Sequence, residues 1–409
     1  MTVASAAKAT GLALLGGAPI RTAPFAPWPH FAEEDMDAAS SVLRSGKVNY
    51  WTGTEGREFE KEFAQYVGTR YAVTLANGSV AIELALRVLG IGPGDEVITT
   101  PRTFLASASS AIMVCATPVF ADIDPDSGNI TAETIARVIT KRTRAVIPVH
   151  LAGWPCDLDP ILDLCAQRNI HVIEDCAQAN GARYKGRSVG SFGVINAWSF
   201  CQDKIMTTAG EGGMITTDRQ DLWNAAWSFK DHGKSYDAVY LREHKPGFRW
   251  LHESFGTNWR ATEIQSAVGR RMLARLDTMV ATRRRHASLL IDRFRKLSAL
   301  RTPTPAASSL HSYYKFYCYV RPEALKTGWD RDRIMAAINA EGIPCFSGSC
   351  SEVYLEKAFP AKMRPPSPLP LARALGEQSL MFLVHPTLSE QDMDDTARAV
   401  EKVLAVASQ

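Results

Sequence analysis

Between residues 72 and 218, short uniformly apolar runs alternate with stretches whose apolar positions recur every three or four residues. The runs at 118–121, 145–149 and 170–173 are of the first kind. Continuous rather than alternating apolar residues predict strands covered on both faces, as in a parallel sheet. Val80, Ala81, Leu84, Ala85 and Val88 fall on one side of a helix. Strand–helix alternation with right-handed crossovers predicts a layered α/β unit, whose ligands sit at the carboxyl ends of the strands. After Trp259 the apolar positions Ile264, Val268, Met272 or Leu273, Leu276 and Val280 keep helical spacing toward Leu297. This predicts long helical structure leading out of the large unit. Arg283, Arg284 and Arg285 lie in it and read as a solvated face. A strand-like stretch at 313–320, a proline-rich stretch at 360–370 and a terminal helix complete the chain. That helix opens with a capping box from Ser389 to Asp392 and carries Met393, Ala397, Val400 and Val403 on one side. The predicted organisation is a large domain over 1–275, including the N-terminal segment, and a small α/β domain over 276–409.

Composition adds exclusions. A chain of 409 residues with 46% apolar and 22% charged content is an ordinary globular protein with room for two domains. The net charge of +3 gives no electrostatic reason for a nucleic-acid partner. The eight cysteines are Cys115, Cys156, Cys165, Cys176, Cys201, Cys318, Cys345 and Cys350, and none has the two-residue spacing of a zinc or redox motif. Reduced thiols and no metal are expected. One apolar patch, residues 12–15, is too short to span a bilayer and weak as a signal core. The expectation is a soluble cytoplasmic protein without membrane or nucleic-acid partners.

Four segments carry candidate chemistry. The first is Trp198-Ser199-Phe200-Cys201-Gln202-Asp203-Lys204, followed by a turn rich in glycine and a strand at 214–217. A lysine at a strand end is desolvated, which lowers its pKa and frees the amine to form an imine; a solvated surface lysine is the plain alternative. The second is Glu174-Asp175 at the end of an apolar run, with Gln178 after it. One carboxylate can face a site and hold a pyridine nitrogen protonated, or it can cap the next helix. Third, Ala76-Asn77-Gly78-Ser79 precedes the helix with Val80 to Val88 on its apolar side. Free N–H groups and the helix dipole suit a phosphate there, or the segment is a simple N-cap. Fourth, Phe104 follows the strand at 96–100 and can stack on a flat ring or belong to the core.

Phosphate cup, aromatic, acid and lysine come in that order. With them the chain resembles the DegT/DnrJ/EryC1/StrS sugar aminotransferases, within the fold-type I pyridoxal-phosphate (PLP) transferases. The resemblance runs from residue 14 to 388 and is carried by SFCQDKIMTTAGEGG at 199–213, VIEDCAQANGA at 172–182 and GTNWRATEIQSA at 256–267. It implies a mostly parallel mixed sheet flanked by helices, with the smaller C-terminal α/β domain. It also implies pyridoxal 5′-phosphate as a Schiff base on Lys204, with pyridoxamine phosphate midway through the cycle. Asp175 would pair with the pyridinium nitrogen, Gln178 would lie near the ring and its 3-oxygen, and Phe104 would stack on the ring. Gly78, Ser79 and Ser199 would hold the phosphate, and Asn258 would reach it from the partner in a homodimer with shared sites. Thr52-Gly53-Thr54 resembles the loop that faces the partner's site. Three departures stand out: Val194 where relatives carry Asp, Ser79 for the commoner Thr, and a long segment at 230–255.

The resemblance implies a ping-pong transfer from glutamate or glutamine to a nucleotide-linked keto-sugar, in the making of a cell-surface polysaccharide or secondary metabolite. A keto-cyclitol aminotransferase or an aminohydroxybenzoate synthase-like enzyme is the alternative, and a non-catalytic PLP-binding regulator a third. Dehydratases of the family carry His in place of the lysine, so Lys204 argues against that class.

Overall fold

The computed structural model describes residues 11–409. Its large unit is organised by the strands β1 (Tyr71–Leu75), β2 (Glu96–Thr99), β3 (Thr117–Phe120), β4 (Thr143–Ile147) and β5 (His171–Val172). A short hairpin, β6 (Arg183–Tyr184) and β7 (Arg187–Ser188), precedes β8 (Asn196–Ser199) and β9 (Gly213–Thr217). Strands β3-β2-β4-β5 pair in parallel, while β9 pairs antiparallel with β1 and β8. Parallel bridges from Asp175 to Val149 on one side and to Ala197 on the other join the two groups into one mixed sheet. Only β9 runs against its neighbours. Asp175 therefore sits on the seam, flanked by backbone on both sides.

Helices α1 (Glu55–Val67), α2 (Gly78–Val88), α3 (Ala106–Met113) and α4 (Gln220–Phe229) belong to the large unit. The apolar face predicted for α2 is the observed one: Ala81, Leu84 and Ala85 are buried with Val73, Leu75, Val97, Ala197 and Ile215. Burying a leucine this completely contributes about 1.5–3 kcal/mol.

The helical stretch after Trp259 is two helices, α5 (Glu263–Ala274) and α6 (Leu276–Phe294), parted at Arg275, whose guanidinium is pulled to Asp35 at 2.7 Å. One expectation fails here. Arg284 and Arg285 are exposed, but Arg283 is fully buried. The reason is periodic: Leu276, Met279, Val280, Arg283, Ala287, Leu290 and Phe294 form one inward stripe.

The C-terminal sheet has the order β10 (Leu300–Arg301), β12 (Phe316–Val320), β14 (Ser379–Phe382), β13 (Cys345–Phe346), all antiparallel; β11 (Ser309–Leu310) pairs instead with β6. Helices α7 (Arg331–Ala340) and α8 (Glu390–Ala407) cover it. Ser389 caps α8 through the predicted box with Asp392. Leu12, from the N-terminal segment, is buried in this core with Phe294, Phe316 and Val400. Strand β12 starts at Phe316, later than the pattern suggests. Tyr313 takes a positive φ of 49°, and the N–H groups of Ser312 and Tyr314 bond to the carbonyls of Gly153 and Ala152. That tie swings residues 313–315 toward the large sheet. No described helix is long and apolar enough to cross a membrane.

Candidate active site

Lys204 does not end a strand. It lies beyond β8 in the turn before β9, held by its N–H to Cys201 and by the Trp28 indole N–H to its own carbonyl at 2.9 Å. Its side chain is 16% exposed. Its Nζ has loose neighbours only: the Tyr314 hydroxyl at 3.5 Å and Asp203 at 3.7 Å. Tyr314 donates a hydrogen bond from its hydroxyl to Asp203. Burial, then Asp203, push the Tyr314 phenol well above its ordinary range, so it stays protonated. The amine is sheltered yet not saturated, which is what an imine-forming lysine needs.

The two adjacent acids differ sharply. Glu174 is buried and saturated: it takes His150 Nε2–H at 3.0 Å and the N–H groups of Gly190, Phe192 and Gly193 at 2.8 Å each. Burial raises its pKa, but His150 and these donors more than offset that, leaving it low. His150 Nδ1 accepts the Cys156 N–H, so both ring nitrogens are engaged and the trio His150, Glu174 and Cys176 has no free imidazole nitrogen for a metal. Asp175, also buried, takes only the Ser107 hydroxyl at 2.7 Å and the Ala177 N–H at 3.0 Å. Burial raises its pKa; those donors and the charge of Lys204 pull it back. A buried carboxylate with spare lone pairs and a raised pKa is stabilised by a cationic partner. A protonated pyridine nitrogen is such a partner.

The phosphate cup is a built helix start. Asn77 is the N-cap and takes the Val80 N–H at 3.0 Å. The N–H groups of Gly78 and Ser79, in the first turn, then have no acceptor inside the helix. A Cβ on Gly78 would lie 2.6 Å from Ser199 Cβ, so glycine is required for β8 to approach α2 this closely. Ser199 is buried beside this start, and the Ser79 hydroxyl is exposed. Gln178 is buried; its Oε1 takes the Ala152 N–H at 2.8 Å, which fixes the amide and leaves Nε2 to turn toward a ligand. Phe104 directly precedes α3 and is 71% exposed. Asn258 is exposed, as are Thr52 and Thr54, and Phe248, Trp250 and Phe255 project from the 230–255 segment. The structure thus gathers Lys204 within reach of Asp175's charge and Ser199 against Gly78, and leaves Phe104 and Asn258 at the surface.

Several site residues escape sequence reasoning. Tyr314 and Lys315 sit 110 positions and more from Lys204 and carry no motif. Arg102, fully buried, anchors the 101–104 loop: it bonds Ser351 and lies over the Tyr317 and Tyr319 rings at 5.3 and 6.0 Å. Arg283 was read as part of a solvated face, although its spacing from Leu276, Met279 and Val280 on α6 is a signal that places it inward.

These residues fit PLP. Residues 29–401 match the model of the DegT/DnrJ/EryC1/StrS aminotransferase family. The crystal structure of an aminotransferase from Psychrobacter cryohalolentis is 55% identical, with a TM-score of 0.92 over 93% of this chain and 99% of that one. GDP-perosamine synthase from Caulobacter vibrioides is 38% identical over 87% of this chain and 92% of its own length. DesV from S. venezuelae, solved in complex with a ketimine intermediate, is 31% identical with a TM-score of 0.82 over 93% of this chain and 99% of that one. The chain is a transaminase and belongs to the DegT/DnrJ/EryC1/StrS aminotransferase family.

Proposed function

We propose that this protein transfers an amino group from glutamate or glutamine to a nucleotide-linked keto-sugar, with PLP carried on Lys204. The reading rests on one observation: a sheltered, loosely held Lys204 amine whose charge reaches the under-bonded, buried Asp175. Bound PLP supplies an electron-withdrawing ring for the carbon that loses its proton. The chain's residues do the rest. Asp175 keeps the ring nitrogen protonated, and Ser107 orients Asp175. The Gly78 and Ser79 N–H groups and the Ser199 hydroxyl hold the phosphate. Phe104 covers one face of the ring, and Gln178 approaches the 3-oxygen. Lys204 Nζ, once free of the cofactor, would serve as the base that moves the proton of the donor's carbon.

Asn258 and the loop Thr52-Gly53-Thr54 serve the partner's site in a homodimer, which fits the exposure of Asn258, Thr52 and Thr54. Similarity to GDP-perosamine synthase supports a nucleotide-linked sugar and a place in amino-sugar biosynthesis. The test has two parts. The purified protein with PLP should show a visible imine band that bleaches when L-glutamate is added. A panel of nucleotide-linked keto-sugars and keto-cyclitols, scored by mass for amination, should yield product with a nucleotide sugar. Amination of cyclitols alone defeats the acceptor assignment, and a missing imine band defeats the cofactor assignment.

A further inference from the structure

The pocket around Lys204 holds more positive charge than imine chemistry requires. Lys315, just ahead of β12, places its Nζ 4.8 Å from the centroid of the Tyr314 ring, and Lys204 places its own 4.9 Å from the same centroid. Lys315 is half-buried, and among the described residues no acceptor or carboxylate bonds its Nζ. Behind it stands Arg283, fully buried. Its Nη1 reaches the carbonyls of Tyr313 at 3.4 Å and Tyr314 at 3.2 Å, while Nε and Nη2 have no acceptor. The carboxylate that faces all three cations is Asp203, and it already accepts the Tyr314 hydroxyl. Leaving the Arg283 N–H groups unpaired and out of water is costly. A pocket that keeps them so is arranged for an anion.

We propose that Lys315, backed by Arg283, receives the carboxylate borne on the reacting carbon of the amino donor. This rests on the function proposed above and names the donor's subsite within that pocket. The argument for a carboxylate rather than a diphosphate is one of reach. Lys204 must touch the proton on the donor's carbon, and a carboxylate one bond from that carbon stays close to the ring that both lysines approach. The diphosphate of a nucleotide-linked acceptor is separated from the keto carbon by the sugar. The charge of Lys315 is conditional. Burial, then the charges of Arg283 and Lys204, lower its pKa to about 8 against the pull of Asp203, and His385 lies on the same side. The ammonium is present below that pH and fades above it.

The test uses the PLP-loaded enzyme and separates the half-reactions. Lys315→Met should raise KM for L-glutamate about tenfold or more, with kcat within threefold and the acceptor's KM within twofold. Lys315→Arg should restore the donor's KM. Independently of turnover, calorimetric titration with glutarate should show about tenfold weaker binding in Lys315→Met. Wild-type binding should weaken above pH 8, and Lys315→Arg should flatten that profile. Unchanged glutarate affinity in Lys315→Met overturns the proposal, as does a KM rise confined to the acceptor, which would give Lys315 to the diphosphate. Absence of the visible imine band in the wild type would sink the proposed function itself. A present band with unaltered glutarate binding removes only the Lys315 assignment.

Discussion

Lys230 and Lys204 are both withdrawn from water, in opposite ways. Lys230, at the end of α4, is fully buried and donates to Glu60 at 2.8 Å, with its Nζ 3.9 Å from the Tyr50 ring centroid. Glu60 also takes the Tyr50 hydroxyl and the Thr74 N–H, and Tyr50 takes the Trp227 indole N–H. Each side chain of this knot has a hydrogen-bond partner, and Glu60 offsets part of the burial that lowers the Lys230 pKa, so the pair is structural. Around Lys204 the count is inverted: Lys204, Lys315 and Arg283 face Asp203, and the arginine keeps unpaired N–H groups. The same two chemistries, ammonium and carboxylate, build a strut when saturated and a reactive site when not.

The comparison can be broken from either side. The largest effect belongs to Lys204→Ala, which removes the proposed nucleophile and base. Steady-state turnover should fall by at least about 10³-fold, with the denaturant midpoint nearly unchanged because little packing is lost. A variant that keeps turnover and loses stability would reverse the two roles.

Next comes Lys230→Met, which strands the Glu60 charge in the interior. Urea melts should show a loss of about 3–5 kcal/mol, while activity per folded molecule stays within twofold. Adding Glu60→Leu should recover part of the loss. Activity that collapses in proportion to stability would fit the strut; activity lost in a stable protein would not.

Acid should act through the histidines near the interface of the two sheets. Burial lowers the pKa of His311 and of His385 to about 3, His311 aided by Arg284 and His385 by Arg283 and Lys315. Between the ordinary histidine value near 6.5 and 3, the unfolded chain binds protons that the folded one refuses. Stability therefore falls as pH drops through that window, by about 1.4 kcal/mol per pH unit for each histidine at most. His311→Asn should make the Tm-against-pH curve shallower below pH 6, and an unaltered slope would remove His311 from the account.

The smallest effect is Ser107→Ala. It deletes one of two donors to Asp175 and should weaken PLP retention by about 1 kcal/mol, roughly fivefold, in an equilibrium dialysis measurement. No change there would mean that Asp175 needs no orientation from α3.

Local signals in the chain were good guides where backbone and burial pattern decide the outcome. The apolar face of α2, the capping box of α8 and the strand before Asp175 stand where the residues point. Local pattern left the acid pair undivided, and it was the family resemblance that singled out Asp175. Only packing shows that Glu174 is consumed by His150 and the glycine turn while Asp175 keeps spare capacity. Lys204 was misplaced as geometry, because the turn after β8 carries it beyond the strand.

The sequence by itself determined the family and the α/β layering, since these depend on periodicity and on short contiguous segments. Tertiary structure alone decided which charges are left unpaired. Arg283 turns inward on α6, and Tyr314 and Lys315 are drawn over by the tie between residues 312–314 and 152–153. Unpaired charge is a property of what surrounds a side chain in space, and contacts that span more than a hundred residues leave no trace in local pattern.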